Sequence, residues 1–312
     1  MEHSFIAWVK QRAARLPKVK LGIGDDCALI ATDSLNSVSL DSAESDLAIT
    51  TDSLCDGTHF ILSECGAQAA GRKLMAVNLS DLASMAATPI SVFLSLCLPK
   101  ENAGDIAAGV FEGVYELADK YRVAISGGDT NVWNGPLVIH MTALGKVARD
   151  QSWLRSGAAA GDAIVVTGKL GGSILGKHMT FEPRLELAKE LHRFGVVSAA
   201  TDISDGLGID LLNMTVASKC GAEVWLDQIP ISEDAKQLAM TSGRSPLEHA
   251  LGDGEDFELL LAVPQEKLSS LPREILGVPV TRIGTFVTRT GLWSKDKNGV
   301  KQLAPKGYVH GQ

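Results

Sequence analysis

Two mixed α/β domains are predicted for this chain, and three observations predict them. At 312 residues the chain is too long for one comfortable hydrophobic core. Strand-like and helix-like runs alternate in both halves. A small, polar-rich run, Trp153 to Asp162, falls near the middle. The domains are therefore placed at 1–150 and 151–312, with the break just before that run.

The elements follow in order. Ser4 is an N-cap for an amphipathic helix to about Leu16, with Phe5, Ile6, Val9 and Ala13 on one side. A glycine-punctuated stretch, Leu21 to Ile30, comes next. Leu47 to Thr51 reads as a strand ending at Asp52, and Gly66 to Ala87 as a long helix. Ser91 to Leu98 is a buried strand and Ala103 to Lys120 a helix. Val123 to Ser126 and Leu137 to Val147 are strands. In the second half Ala163 to Thr167, Ala222 to Leu226 and Phe257 to Val263 read as strands. Arg184 to Phe194 and Gly206 to Ser218 read as helices. The tail after Asn298 is expected to be ordered only where it docks.

Composition excludes several function classes. A net charge of −8 argues against a globally basic nucleic-acid binder, and 5% aromatic residues are too few for an obvious base-stacking platform. No apolar run reaches about 18 residues, so no membrane span is expected. The N-terminus lacks a long apolar segment, so no signal peptide is expected. Five cysteines, an odd number with no C-x-x-C pair, argue against a disulfide framework or zinc site and for a reducing, cytoplasmic setting.

The acids carry the functional signal. Asp25, Asp26, Asp52, Asp56, Asp129, Asp202, Asp205, Asp253, Glu255 and Asp256 stand at the ends of apolar runs beside glycine. One such Asp is ordinarily a turn residue. Five carboxylate-bearing strand ends resemble the site loops of α/β proteins. Asp81 adds to this. Leu74, Val77, Asp81 and Met85 follow a 3-4-4 spacing that would put a carboxylate on a core-facing stripe, either paired with Lys73 or Asn78 or used on a metal. Carboxylates without clustered Cys or His imply a hard cation, Mg²⁺ first, and Mg²⁺ so bound usually accompanies phosphate. Gly127 to Thr130 offers backbone N–H groups beside Asp129. Asp202 to Leu207 leads into a helix N-terminus that can attract phosphate, or in which Ser204 or Asp205 is a plain N-cap. Gly171 to His178 fits G-x-x-x-x-G-K but ends in His where a P-loop needs a hydroxyl for Mg²⁺, so it is set aside.

The motifs Gly22 to Ala28, Thr50 to Ser53, Asp56 to Phe60, Ala76 to Ala87, Ser126 to Thr130, Leu154 to Gly157, Asp202 to Leu207 and Gly252 to Leu259 resemble, in order, those of thiamine-monophosphate kinases. A weaker echo stands at Lys306 to Tyr308. The resemblance implies the two-domain α/β (α+β type) fold of the aminoimidazole ribonucleotide synthetase-like, or PurM-like, superfamily. It implies a cytoplasmic homodimer paired through the N-terminal domain. It also implies a transferase that phosphorylates thiamine monophosphate to the diphosphate with ATP, directly and in line, helped by several Mg²⁺ ions. Carried over by position, Asp26, Thr50, Thr51, Asp52, Asp81, Asp129, Asp202 and Asp205 are the metal-binding set. Gly128, Asp129, Arg155 and Ser204 match nucleotide contacts, and His59, Glu255 and Tyr308 match substrate-side positions. No covalent nucleophile is implied. The family often ends G-[WFY]-D-H-F, and Gly307-Tyr-Val-His-Gly here lacks the Asp. The rivals are another ATP-using enzyme of the superfamily and a non-catalytic nucleotide-binding relative. The latter predicts loss of several metal acids, and all are present.

Overall fold

The computed structural model describes residues 19–31, 45–296 and 299–308. The helix expected from Ser4 lies outside the described residues. The first half forms a six-stranded sheet in the order β1-β2-β3-β6-β4-β5: β1 Val19–Leu21, β2 Ala28–Ala31, β3 Ser45–Cys55, β4 Thr88–Pro99, β5 Ala124–Trp133 and β6 Val138–Ala148. All neighbours are antiparallel except β4 and β5. Helices α1, Leu62–Ser84, and α2, Ala103–Tyr121, accompany it.

The second half forms an eight-stranded sheet. Its main path is β14-β13-β9-β12-β7-β10-β8, with β11 pairing β12. The strands are β7 Ala163–Thr167, β8 Ala199–Asp202, β9 Gly221–Trp225, β10 Leu259–Val263, β11 Glu274–Ile275, β12 Val278–Val287, β13 Gly291–Asp296 and β14 Gly299–Gln302. Its helices are α3 Lys177–Thr180, α4 Leu185–Phe194, α5 Leu207–Ser218, α6 Glu233–Ser242 and α7 Pro246–Gly252. Mixed, mainly antiparallel sheets with helices agree with the expected α+β class. Among the described residues no helix is long and apolar enough to cross a membrane. All five cysteines are free thiols.

Helix α1 is the centre of the molecule. It packs on α2, β3 and β6 of its own half and on α3, α4 and β8 of the other. From Ala70 to Ser84 every residue is buried except Arg72 and Asp81, which are half-buried. The single core-facing stripe expected through Asp81 is therefore corrected. A helix apolar on nearly all sides is one enclosed by neighbours, and Met85 stands just beyond its end as the C-cap. Each fully buried leucine, such as Leu74, Leu79 and Leu82, contributes about 1.5–3 kcal/mol. The helix also starts earlier than expected, and Gly66 breaks its backbone with φ 75°. Asp56 accepts the Leu62 N–H at 2.8 Å, satisfying one donor that a helix start leaves open.

Glycines let α1 and α2 approach. A Cβ at Gly113 would lie 1.9 Å from the Gln68 carbonyl oxygen, and one at Gly71 would lie 2.1 Å from that of Val110. Both contacts are with backbone, so the helices would have to separate. Gly113→Ala is expected to destabilise the protein by about 1–3 kcal/mol through overpacking. Gly104→Ala, in the same helix with nothing near its Cβ, should be neutral or stabilising by up to about 1 kcal/mol. Paired denaturant titrations of the two variants check this.

Candidate active site

A cleft of about 740 Å³ opens between the two halves. Its first wall carries Asp52, His59 and Asp81, and its second carries Ser204, Asp205, Glu255 and Tyr308. Seven of the residues singled out in the sequence thus meet at one opening. They come from the end of β3, the turn after it, α1, the β8–α5 loop, the α7–β10 loop and the tail.

Behind the cleft the acids form a linked set. Asp81 accepts the Thr50 hydroxyl. Asp202 accepts Ser80 Oγ at 2.5 Å, and Asp26 accepts Ser84 Oγ at 2.6 Å and Thr201 Oγ1 at 3.1 Å. Arg155 lays its fork on Asp26, with Nε at 2.9 Å and Nη2 on the same oxygen. Its backbone N–H is shared by the two carboxylate oxygens of Asp25 at 3.1 and 3.2 Å. Arg155 therefore joins the second half to an acid of the first, rather than standing open to a phosphate. Neither alternative partner expected for Asp81 is used. Lys73 binds Glu255, and Asn78 Nδ2 donates to the Leu74 carbonyl.

Electrostatics explains how this set is held. Desolvation alone pushes Asp52 up to about 6. Desolvation and then Asp26 push Asp202 up to about 7. Asp25 rises to about 6, for burial and for Asp26 beside it. Asp81 is driven well above the usual range by burial, then by Asp52 and Asp202. Among the described residues no three metal-ligating side chains stand converged. Each is held by its own partners instead, Asp81 by Thr50, Asp202 by Ser80, and Asp26 by Ser84, Thr201 and Arg155. The donors are oxygens, and they carry more negative charge than the surrounding cations offset. That is the chemistry of a hard divalent cation.

The sequence missed Asp210. It is buried in the first turn of α5 and accepts the Asp205 N–H at 3.0 Å. An acid inside the apolar run Leu207 to Leu212 was the available signal, the same kind that flagged Asp81. The α5 N-cap is Gly206, so neither Ser204 nor Asp205 caps that helix. The Gly171–His178 segment forms no phosphate cradle. Gly171 N–H is taken by Asp256 at 2.8 Å and Gly172 N–H by Asp253 at 3.0 Å. Lys177 points to Glu258 at 3.0 Å.

Three predicted residues lie apart from the cleft. Thr51 Oγ1 bonds His140 Nε2 at 3.0 Å, on the sheet face away from Thr50. Gly128 and Asp129 lie on β5, the exposed edge strand. Register runs from Asp52 through Met141 and Leu94 to Gly128. That is three strand spacings, or about 14 Å along the sheet. Asp129 falls in the next row, with Ser95, His140 and Ser53, so it faces the side opposite Asp52. Gly128 is demanded by packing, since a Cβ there would lie 1.7 Å from the Leu94 carbonyl oxygen.

Family models for AIR synthase related proteins match both halves, the N-terminal domain over residues 24–147 and the C-terminal domain over 159–294. The fold and its cleft thus define an AIR synthase related protein. The thiamine-monophosphate kinase of Rhodopirellula baltica is 49% identical over 313 residues, covering 100% of this chain and 98% of that protein. The Salmonella typhimurium thiamine-monophosphate kinase is 36% identical, covering 99% and 98%. The solved structure of AaThiL complexed with AMPPCP and TMP matches with a TM-score of 0.82 at 27% identity, covering 99% of this chain and 96% of that one. The chain belongs to the thiamine-monophosphate kinase family and is a kinase.

The raised acids carry a pH signature. An unfolded Asp titrates near about 4. The folded chain therefore binds more protons than the unfolded one between that value and about 6 for Asp25 and Asp52, or about 7 for Asp202. Stability contributed by these groups falls as pH rises through that window. In chelator the protein should melt at a lower temperature at pH 8 than at pH 5, and Asp202→Asn should flatten the difference. Added Mg²⁺ should raise the melting temperature more at pH 8, where protons no longer compete. Scanning calorimetry checks both, and an equal Mg²⁺ effect at the two pH values would contradict the account.

Proposed function

We propose that the chain transfers the γ-phosphoryl group of ATP to thiamine monophosphate, giving thiamine diphosphate and ADP by direct in-line displacement. The observation that carries this reading is the single cleft where Asp52, Asp81, Ser204 and Asp205 meet His59, Glu255 and Tyr308. The names of the relatives at 49% and 36% identity support it. So do the AMPPCP and TMP in the solved neighbour. Asp26, Thr50, Asp52, Asp81, Asp202 and Asp205 would hold several Mg²⁺ ions, which when bound neutralise phosphate charge and align the reacting oxygens. Ser204 serves the nucleotide side, and Arg155 holds Asp26, one of the metal-binding acids, in place. His59, Glu255 and Tyr308 serve the acceptor, with Glu255 as the hydrogen-bond acceptor for its aminopyrimidine. The five free thiols fit a cytoplasmic enzyme.

The same reading makes the enzyme a homodimer whose site is completed across the interface. β5 is a ten-residue open edge, exposed along nearly its whole length, with Asp129 its sole charge. Val132 and Trp133 at its end and Phe93 on the neighbouring β4 are exposed. An unpaired edge of this length with exposed apolar residues at its end invites pairing with another chain. Asp129 and Gly128 cannot reach Asp52 within one chain, so a second copy would bring them and Thr51 into use.

An assay with ATP, Mg²⁺ and thiamine monophosphate tests the function. Thiamine diphosphate should form and should vanish in excess chelator, and no label should remain on the protein from γ-labelled ATP. Asp205→Asn should cut turnover by orders of magnitude, with several kcal/mol, roughly, lost from charge stabilisation. Lys177→Ala should be much milder. Phosphorylation of another acceptor alone would reject the assignment.

The shared site has its own test. Asp52→Asn and Asp129→Asn homodimers should each be nearly inactive. Mixed and re-associated, they should recover about a quarter of parental turnover, since half the dimers are hybrids and each hybrid holds one intact site. No recovery from dimers shown to exchange subunits would place Asp129 outside the site.

A further inference from the structure

Lys73 is fully buried in α1, with 0% exposure, and is among the largest side chains so enclosed among the described residues. Its Nζ donates to the His59 carbonyl oxygen at 2.7 Å and pairs with Glu255 Oε1 at 2.6 Å. His59 belongs to the turn between β3 and α1. Glu255 belongs to the loop between α7 and β10, in the other half. Both line the cleft, whereas Lys73 lies behind its wall.

Glu255 is set unusually. Its φ is 62°, a left-handed conformation that residues with a side chain avoid. Its N–H donates to the Ser204 carbonyl at 2.7 Å. A buried lysine is costly and is retained only where its charge and donors are used. Here one ammonium spans both walls of the cleft at the acceptor end. Burial lowers its pKa and Glu255 opposes that.

We propose that Lys73 is a positioning residue for the acceptor. By gripping the His59 carbonyl and one oxygen of Glu255, it fixes the spacing of the two walls and leaves the other Glu255 oxygen for an N–H donor on the substrate's ring. It acts through Glu255 and His59 and touches neither the reacting phosphates nor the metal-binding acids. The proposal rests on the acceptor reading of Glu255 given above.

Steady-state kinetics on Lys73→Met, Glu255→Gln and the double variant test it, with circular dichroism to monitor folding. Lys73→Met should raise KM for thiamine monophosphate about tenfold or more, as expected on removing the buried ammonium that holds the half-buried Glu255 carboxylate. KM for ATP should stay within about twofold, and kcat should fall less than the acceptor KM rises. In the Glu255→Gln background the added Lys73→Met should change that KM by less than about threefold, because the two changes share one interaction. An unchanged acceptor KM in Lys73→Met overturns the proposal, as do fully additive effects or a uniform loss of active enzyme with both KM values unaltered. If Lys73→Met does not fold, the double variant, which buries no lone charge, should; its comparison with Glu255→Gln then decides. A double variant that also fails to fold makes Lys73 purely structural and overturns the proposal. A parent enzyme that neither binds nor phosphorylates thiamine monophosphate ends the function reading and this proposal with it. A parent that is active beside a Lys73→Met variant with unchanged acceptor KM ends only this one.

Discussion

Burial of α1 between the two sheets is the constraint on which the rest of the molecule depends. A helix enclosed on nearly all sides needs partners for its polar groups; Asn78 keeps its Nδ2 on Leu74 within the helix, and others reach across an interface. Lys73 finds Glu255, Ser80 finds Asp202, Ser84 finds Asp26, and Asp81 finds Thr50. Two of these partners, Glu255 and Asp202, belong to the other half of the chain. The contacts that hold the halves together are therefore the contacts that set the walls of the cleft. Changing their relative position would move both at once.

The same enclosure makes the acids costly. Asp26, Asp52, Asp81 and Asp202 are taken out of water close to one another, and apart from Arg155 the groups holding them are mainly neutral hydroxyls. Hydroxyls satisfy lone pairs but add no positive charge, so burial raises Asp52, Asp81 and Asp202, and neighbouring acids add to the rise at Asp81 and Asp202. Elsewhere the protein treats a buried acid differently. Glu258 receives both Arg184 and Lys177, and its pKa is lowered despite burial. A chain able to neutralise Glu258 so fully leaves the acids by the cleft under-compensated. That contrast sets the acids by the cleft apart from an acid paired for structure, as the proposed binding of a cation requires.

Much of this was legible in the sequence, and the remainder was not for identifiable reasons. The strands at Ser91, Leu137 and Ala163 and the helices ending near Tyr121, Phe194 and Ser218 follow from apolar period alone. β1 and β2 were not assigned because glycines and acids break their short runs. α6 and α7 were not assigned because they are polar. The Ser245–Glu248 capping box with Pro246 is nevertheless a written start signal for α7. Glycine-flanked acids stand on both walls of the cleft, Asp52 on one and Asp205 and Glu255 on the other, because strand ends and the loops after them converge there. Lys73 was considered only as a partner for Asp81. Its actual partner, Glu255, lies in the other half, and no spacing rule reaches that far along the chain.

β3 shows why one strand can serve two environments. Its side chains alternate, so Thr50 turns inward to Asp81 while Thr51 turns outward to His140. Asp52 turns inward again, and Ser53 bonds the other nitrogen of His140 at 2.7 Å. Successive residues of one motif therefore cannot all face the same ion within a single sheet layer. A motif that reads as one ligand set in sequence is split by the pleat into an inner group and an outer group. The outer row runs across the sheet from Ser53 through His140 and Ser95 to Asp129 at the open edge. On the dimer reading, that row is where a second copy would lie. Pairing at β5 would then act on the reaction as well as on stability, because it would give the outward-facing half of the motif something to bind.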